Sequence, residues 1–126
     1  MDDQWTQWLR GVTDLLVLSV LERGRSYGYE IAQALAGAGF EDLNEATAYS
    51  SLRRLDADGF VRSTLVASSD GPARRYYTLT ARGRGERARR VDGWHDFVGV
   101  VGGVVGEGRA SKARSQARTQ RSGTRG

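Results

Sequence analysis

A mainly α-helical fold carrying one β-hairpin is predicted by three features of this 126-residue sequence. Apolar residues recur at three-and-four spacing through residues 3–22, 27–35 and 48–55. Two runs rich in β-branched and aromatic residues, 61–66 and 74–79, flank a Ser-Ser-Asp-Gly-Pro turn. A last apolar seam, Val91, Trp94, Val98, Val101 and Val105, is spaced 3, 4, 3, 4, as in a helix that packs on a partner. The order α-α-α-β-β followed by a long helix is that of a winged helix-turn-helix with a C-terminal dimerisation helix. The expected division is a winged domain over residues 1–80, a dimerisation helix over 81–108 and a basic tail over 109–126.

The first helix runs from Asp3 to Glu22, with Trp5, Trp8, Leu9, Val12, Leu15, Leu16 and Leu21 on its apolar stripe. Asp2 and Asp3 suit the positive end of its dipole. Gly11, which costs about 1 kcal/mol relative to Ala inside a helix, marks a kink or a second start. Gly24 suits the stop. A second helix opens at Gly28, aligns Tyr27, Ile31 and Leu35, and ends at Gly37 and Gly39.

The third helix starts at Asn44, whose side chain can cap it, with Glu45 in its first turn. Ala48, Leu52 and Leu55 form its buried stripe. Gly59 follows where a left-handed residue belongs, and Phe60 can fold back on the last turn. Strands 61–66 and 74–79 make an antiparallel hairpin turning through Ser68–Pro72. Thr80 caps the fourth helix. Six glycines between residues 93 and 108 weaken that helix, while the pairs Gly99/Gly103 and Gly102/Gly106 would let a partner helix approach closely.

Charge is distributed unevenly. The net +4 arises from residues 51–90, with ten Arg against four acids, and from residues 109–126, with six Lys/Arg and no acid. Residues 1–50 and 91–108 are both acidic. The block at 51–90 places Arg53 and Arg54 on the third helix, Arg62 on the first strand, and Arg74 and Arg75 beside the hairpin tip. A helix-turn-helix needs cations at these places: its third helix enters the major groove and its wing reaches a neighbouring phosphate strand. The tail has no large apolar residue, and its composition predicts disorder.

Other function classes lose ground here. The chain has no Cys, so it carries no disulfide, thiol nucleophile or Cys-bound metal. His95 is its one histidine, and with Asp92 and Asp96 it makes at best a poor surface metal site. No Ser/His/Asp set or phosphate loop is present, and Gly83-Arg84-Gly85 lacks the strand-turn-helix setting of a nucleotide fingerprint. The acidic N-terminus is unlike a secretory signal. The longest apolar run, Phe97–Gly106, is half of the ~20 residues a membrane helix requires. No catalytic residue, metal or cofactor is expected, and the expected location is the cytoplasm.

The run Asn44-Glu45-Ala46-Thr47-Ala48-Tyr49-Ser50-Ser51-Leu52-Arg53-Arg54-Leu55-Asp56-Ala57-Asp58-Gly59-Phe60 resembles the recognition-helix segment of PadR-family transcriptional regulators. Tyr27-Gly28-Tyr29-Glu30-Ile31, Arg74-Arg75-Tyr76-Tyr77-Thr78-Leu79-Thr80 and Gly83 match in the same order, so the resemblance covers residues 9–105. Ala48 stands where the family usually has a larger apolar residue, and Ser50 replaces a frequent Pro. The resemblance implies a homodimeric repressor of the short type, binding double-stranded DNA and releasing it when a small aromatic or hydrophobic effector binds.

On that basis Glu45, Ala46, Thr47, Tyr49 and Ser50 are candidates for base and phosphate contact, with Arg53 reaching the backbone. Tyr49 has the alternative of packing in the core, and Arg54 that of pairing with Asp58 one turn on. Arg74 and Arg75 are the wing candidates, or else solvated strand ends. Val91, Trp94, Val98, Val101 and Val105 are the dimerisation residues. The resemblance places Trp94 at an effector cavity between subunits, with Trp5 and Trp8 lining the same space. The alternative for Trp94 is plain interface packing. The rival reading of the whole chain is a protein-interaction module that uses the winged fold without reading DNA.

Overall fold

The computed structural model describes residues 3–106. The expected basic tail at 109–126, and residues 107–108 of the expected dimerisation segment, lie outside the described residues. Two compact units divide the chain, Met1–Arg90 and Val91–Gly126.

In the first unit the helix expected over Asp3–Glu22 is two helices, α1 (Asp3–Leu9) and α2 (Thr13–Glu22). The second start near Gly11 is therefore realised. Thr13 Oγ1 donates to the Leu9 carbonyl at 2.7 Å, sharing that oxygen with the Val12 amide at 3.0 Å, so the end of α1 is tied to the start of α2. α2 ends at Gly24, whose φ of +144° favours glycine. α3 (Gly28–Ala38) runs through Gly37 and stops at Gly39, the second of the two glycines expected to end it. There the Phe40 and Gly39 amides donate to the carbonyls of Leu35 and Ala36, a Schellman ending.

α4 (Glu45–Ala57) closes the same way. Phe60 and Gly59 donate to Leu55 and Asp56, and Gly59 has φ +80°. β2 (Val61–Ser68) and β3 (Gly71–Leu79) form the hairpin, joined by Ser69 and Asp70. Their register shifts between Val66 and Ser68, opposite Pro72, whose nitrogen has no proton to offer a ladder.

A strand that sequence reasoning missed, β1 (Ser26–Tyr27), pairs with β3 at Tyr76 and Tyr77. The sheet order is β1-β3-β2, all antiparallel. Two residues are too few to show an alternating pattern.

The core gathers Val17, Leu18 and Leu21 from α2, Ile31 and Leu35 from α3, and Ala48, Leu52 and Leu55 from α4. Val61, Tyr77 and Leu79 close it from one face of the sheet. Helix α5 (Ala81–Val105) follows. Its first turn is capped as expected, the Gly83 amide donating to Thr80 Oγ1 at 3.0 Å. In the second unit α5 continues without a break despite its glycines and ends at Gly106, φ +70°.

Candidate nucleic-acid interface

The geometry of α4 begins with Asn44. Its side-chain oxygen accepts from the Thr47 amide at 2.9 Å and from Thr47 Oγ1 at 3.1 Å, which fixes the helix start and its first exposed turn. Ala48, Ser51, Leu52 and Leu55 face inward. Glu45, Ala46, Thr47 and Arg53 are left exposed, with Tyr49 and Ser50 half-buried at the edge of that surface. Arg53 lies over its own helix, its guanidinium 3.4 Å from Ser50 Oγ.

Tyr49 packs partly against the core. Its ring covers Gly28 so closely that a Cβ there would lie 2.9 Å from two ring carbons. The start of α3 and the recognition-helix candidate are thus in direct contact, and residue 28 must lack a side chain for the ring to sit there.

Arg54 does not pair with Asp58, one turn along its own helix. It reaches across to α2, donating to Asp14 through Nη2 at 2.7 Å and Nε at 3.4 Å. A partner on another helix offers two oxygens to the guanidinium fork, which a surface i,i+4 pair rarely does. Ser51 Oγ also donates to Asp14, at 2.7 Å, and Arg90 of α5 lies 3.9 Å away. Burial works to raise the Asp14 pKa, but the hydrogen bonds from Arg54 and Ser51 and the charges of Arg54 and Arg90 outweigh it and lower the value.

On the hairpin, Arg74 and Arg75 are both exposed, and strand alternation sends them to opposite faces. Arg75 donates to Ser63 Oγ of β2 at 3.0 Å. Arg74 lies over the Tyr27 ring, 4.9 Å from its centroid. Tyr27 meets Tyr76 edge-on at 5.1 Å, and Arg25 covers Tyr76 at 4.5 Å. The result is a ladder, Arg25–Tyr76–Tyr27–Arg74, across β1 and β3, with Tyr29 stacked beside Tyr27 at 6.5 Å. Among the described residues no carboxylate is paired with either arginine of this ladder. The aromatic faces order both guanidiniums without neutralising them. Arg25 was not among the sequence candidates because β1, which brings it here, gave no signal.

The aromatic effector candidates fall in different units. Trp5, in α1, is 43% exposed and lies 5.8 Å from the Phe40 ring, and Trp8 is 62% exposed. In the second unit Trp94 is 40% exposed, with the Phe97 ring 6.3 Å away. The dimerisation candidates Val98, Val101 and Val105 are exposed, and Val91 is half-buried. Among the described residues, no group of three or more His, Asp or Glu side chains is gathered as a metal site, and no helix is long and apolar enough to cross a membrane.

Comparison with known proteins gives one consistent result. The sequence model described as the transcriptional regulator PadR-like family matches residues 17–89. The solved structure of a PadR-like transcriptional regulator from Bacillus cereus is 30% identical, covering 82% of this chain and 99% of its own, with a TM-score of 0.71. A PadR family transcriptional regulator from Eggerthella lenta is 28% identical over 83% of this chain and 91% of its own, with a TM-score of 0.74. Bacillus subtilis PadR, solved in complex with operator DNA, shares the fold at 23% identity and a TM-score of 0.58. That match covers 64% of this chain and 46% of the other.

Proposed function

Because this chain belongs to the PadR-like family of transcriptional regulators, not to an enzyme family, we propose that it reads double-stranded DNA as a homodimer. Helix α4 enters the major groove, and the β2–β3 wing holds the flanking backbone. The observation that carries this reading is the Asn44-capped start of α4, which exposes Glu45, Ala46 and Thr47 beside Tyr49, Ser50 and Arg53. Arg74 and Arg75 on the wing, and Arg25 on the aromatic ladder, supply charge for phosphates. The solved DNA complex of Bacillus subtilis PadR, on the same fold, supports the same assignment.

The winged domain over residues 1–80 does the reading, and the segment 81–108 joins two copies. The exposed seam of Trp94, Val98, Val101 and Val105 supports this pairing, because an isolated helix leaves that apolar stripe in water. A two-fold dimer calls for a pseudo-palindromic site with half-sites about one helical turn apart. Seated on a promoter in the cytoplasm, such a dimer blocks transcription. The exposed Trp94–Phe97 pair favours a planar aromatic effector at the dimer interface, with Trp5 and Trp8 as further lining. It releases DNA by favouring a dimer whose reading heads no longer match the site.

Selection from a random duplex library, followed by anisotropy titration at physiological salt, tests the proposal. The expected result is an enriched pseudo-palindrome bound far more tightly than its scrambled version. Equal affinities would support the rival reading, a protein-interaction module without sequence readout.

A further inference from the structure

One carboxylate touches α4 twice and has the base of α5 within reach. Asp14, in the first turn of α2, accepts from Ser51 Oγ and from Arg54 Nη2, each at 2.7 Å, with Arg54 Nε at 3.4 Å. Arg90 Nη1 stands 3.9 Å from its other oxygen and is itself held by Glu86 at 2.6 Å. Ser51 is fully buried, and the Asp14 side chain is 24% exposed. This hydroxyl and this guanidinium follow Thr47 by one and two turns on one flank of α4, with Glu45, Tyr49 and Arg53 around the helix from them.

From this arrangement we infer that Asp14 is a positioning residue that sets the sequence specificity of α4 without touching DNA. The inference rests on the DNA-reading function proposed above. The apolar stripe of α4 holds the helix down, but apolar burial is non-directional, and Ala48 gives that stripe a small side chain at the reading end. Hydrogen bonds are directional. The two to Asp14 therefore fix the rotation of α4 about its own axis. With side chains reaching about 6 Å from a helix axis, a rotation of roughly 20° moves a reading atom by about 2 Å. Such a shift breaks a direct hydrogen bond to a base edge, whereas phosphate contacts made by long, flexible arginines survive it.

The test compares wild type, Asp14→Asn and Arg54→Gln on the selected duplex and on a random duplex, over a series of salt concentrations. Asn keeps the shape of Asp14 and removes the charge that orders Arg54. Either variant is expected to bind the selected site about tenfold more weakly, within the range of one lost base contact. Random-duplex affinity and the salt slope stay as in wild type. The double variant is no worse than the singles, because one linkage is being removed. A fall in folded protein lowers both affinities alike and leaves their ratio untouched, so equal losses overturn the inference. A tighter grip on random duplex with a steeper salt slope also overturns it, since Asp14 would then mask the Arg54 charge. Wild type without site preference overturns the DNA-reading proposal and this inference together. A wild-type preference retained by Asp14→Asn overturns the inference alone.

Discussion

The Phe60 carbonyl oxygen occupies the place where a side chain on residue 83 would begin: a Cβ on Gly83 would lie 1.9 Å from it and 2.8 Å from the carbonyl carbon. That carbonyl accepts the Thr80 amide at 3.1 Å, and Thr80 Oγ1 donates to the Gly59 carbonyl at 2.7 Å. The turn that ends α4 is thus stapled to the first turn of α5, at the root of the wing. Gly83→Ala would drive backbone against backbone, which no rotamer relieves. The expected cost is about 3 kcal/mol, at the upper end for overpacking, read as a lowered urea midpoint. Gly85, two residues on, has nothing within 4 Å of its Cβ position. Gly85→Ala is expected to stabilise the protein by up to ~1 kcal/mol, so opposite signs at neighbouring glycines isolate the close approach as the cause.

Acid should loosen the base of α5 in a defined window. Hydrogen bonds from Arg89, with Nη2 at 2.7 Å, and from Arg90, with Nε at 2.6 Å, hold the Glu86 carboxyl down from its ordinary 4.5 to about 2. A depressed folded value means stabilisation that is complete above pH 4.5 and disappears as the pH falls through about 2. Asp14, also lowered, acts in the same direction. The urea midpoint should therefore hold steady above pH 5 and fall below it. Glu86→Gln should flatten part of that fall. A variant with the full wild-type acid dependence would remove Glu86 from the account.

The sequence made the recognition-helix candidate legible from end to end because its signals are local. Asn44 caps it, Ala48, Leu52 and Leu55 stripe it, and Gly59 closes it, all within one segment. The helical course of α5 through Trp94, Val98, Val101 and Val105 was legible for the same reason. What escaped were the relationships made by the fold. β1 is strand only because β3 lies beside it, so the ladder that places Arg25 with Arg74 had no periodic trace. Arg54 has an acid one turn along its helix, yet it takes Asp14, forty positions earlier in the chain. Gly83 was visible as a matched position, but its reason, the Phe60 carbonyl, is a contact between segments that local patterns do not encode.

Trp94 gives the effector proposal a direct readout. The residue is 40% exposed and its ring stands 6.3 Å from the Phe97 ring, a surface on which a planar aromatic compound can stack. Titrating a panel of planar aromatic compounds against tryptophan fluorescence should show saturable quenching that Trp94→Phe reduces, with Trp5 and Trp8 left to report what remains. Quenching of the same depth in the variant would exclude Trp94 as the platform. A compound that binds there as an effector must also weaken binding to the selected duplex, and DNA must weaken the compound by the same factor.

The wing assignment stands on charge, and charge is read through salt. Each phosphate neutralised by an arginine contributes about one unit to the slope of log affinity against log salt concentration. Replacing Arg74 and Arg75 together with Ala should therefore weaken selected and random duplexes to similar degrees and reduce the slope by up to about two. Because the two side chains leave β3 on opposite faces, the single variants carry separate information. Arg75→Ala removes the cation beside Ser63, and Arg74→Ala removes the one over Tyr27. If DNA lies along only one face of the hairpin, only one single variant lowers the slope. Arg25→Ala should follow Arg74→Ala, since the two arginines close the same ladder. A slope unchanged by the double substitution would place the wing away from the backbone and leave α4 as the sole reading element.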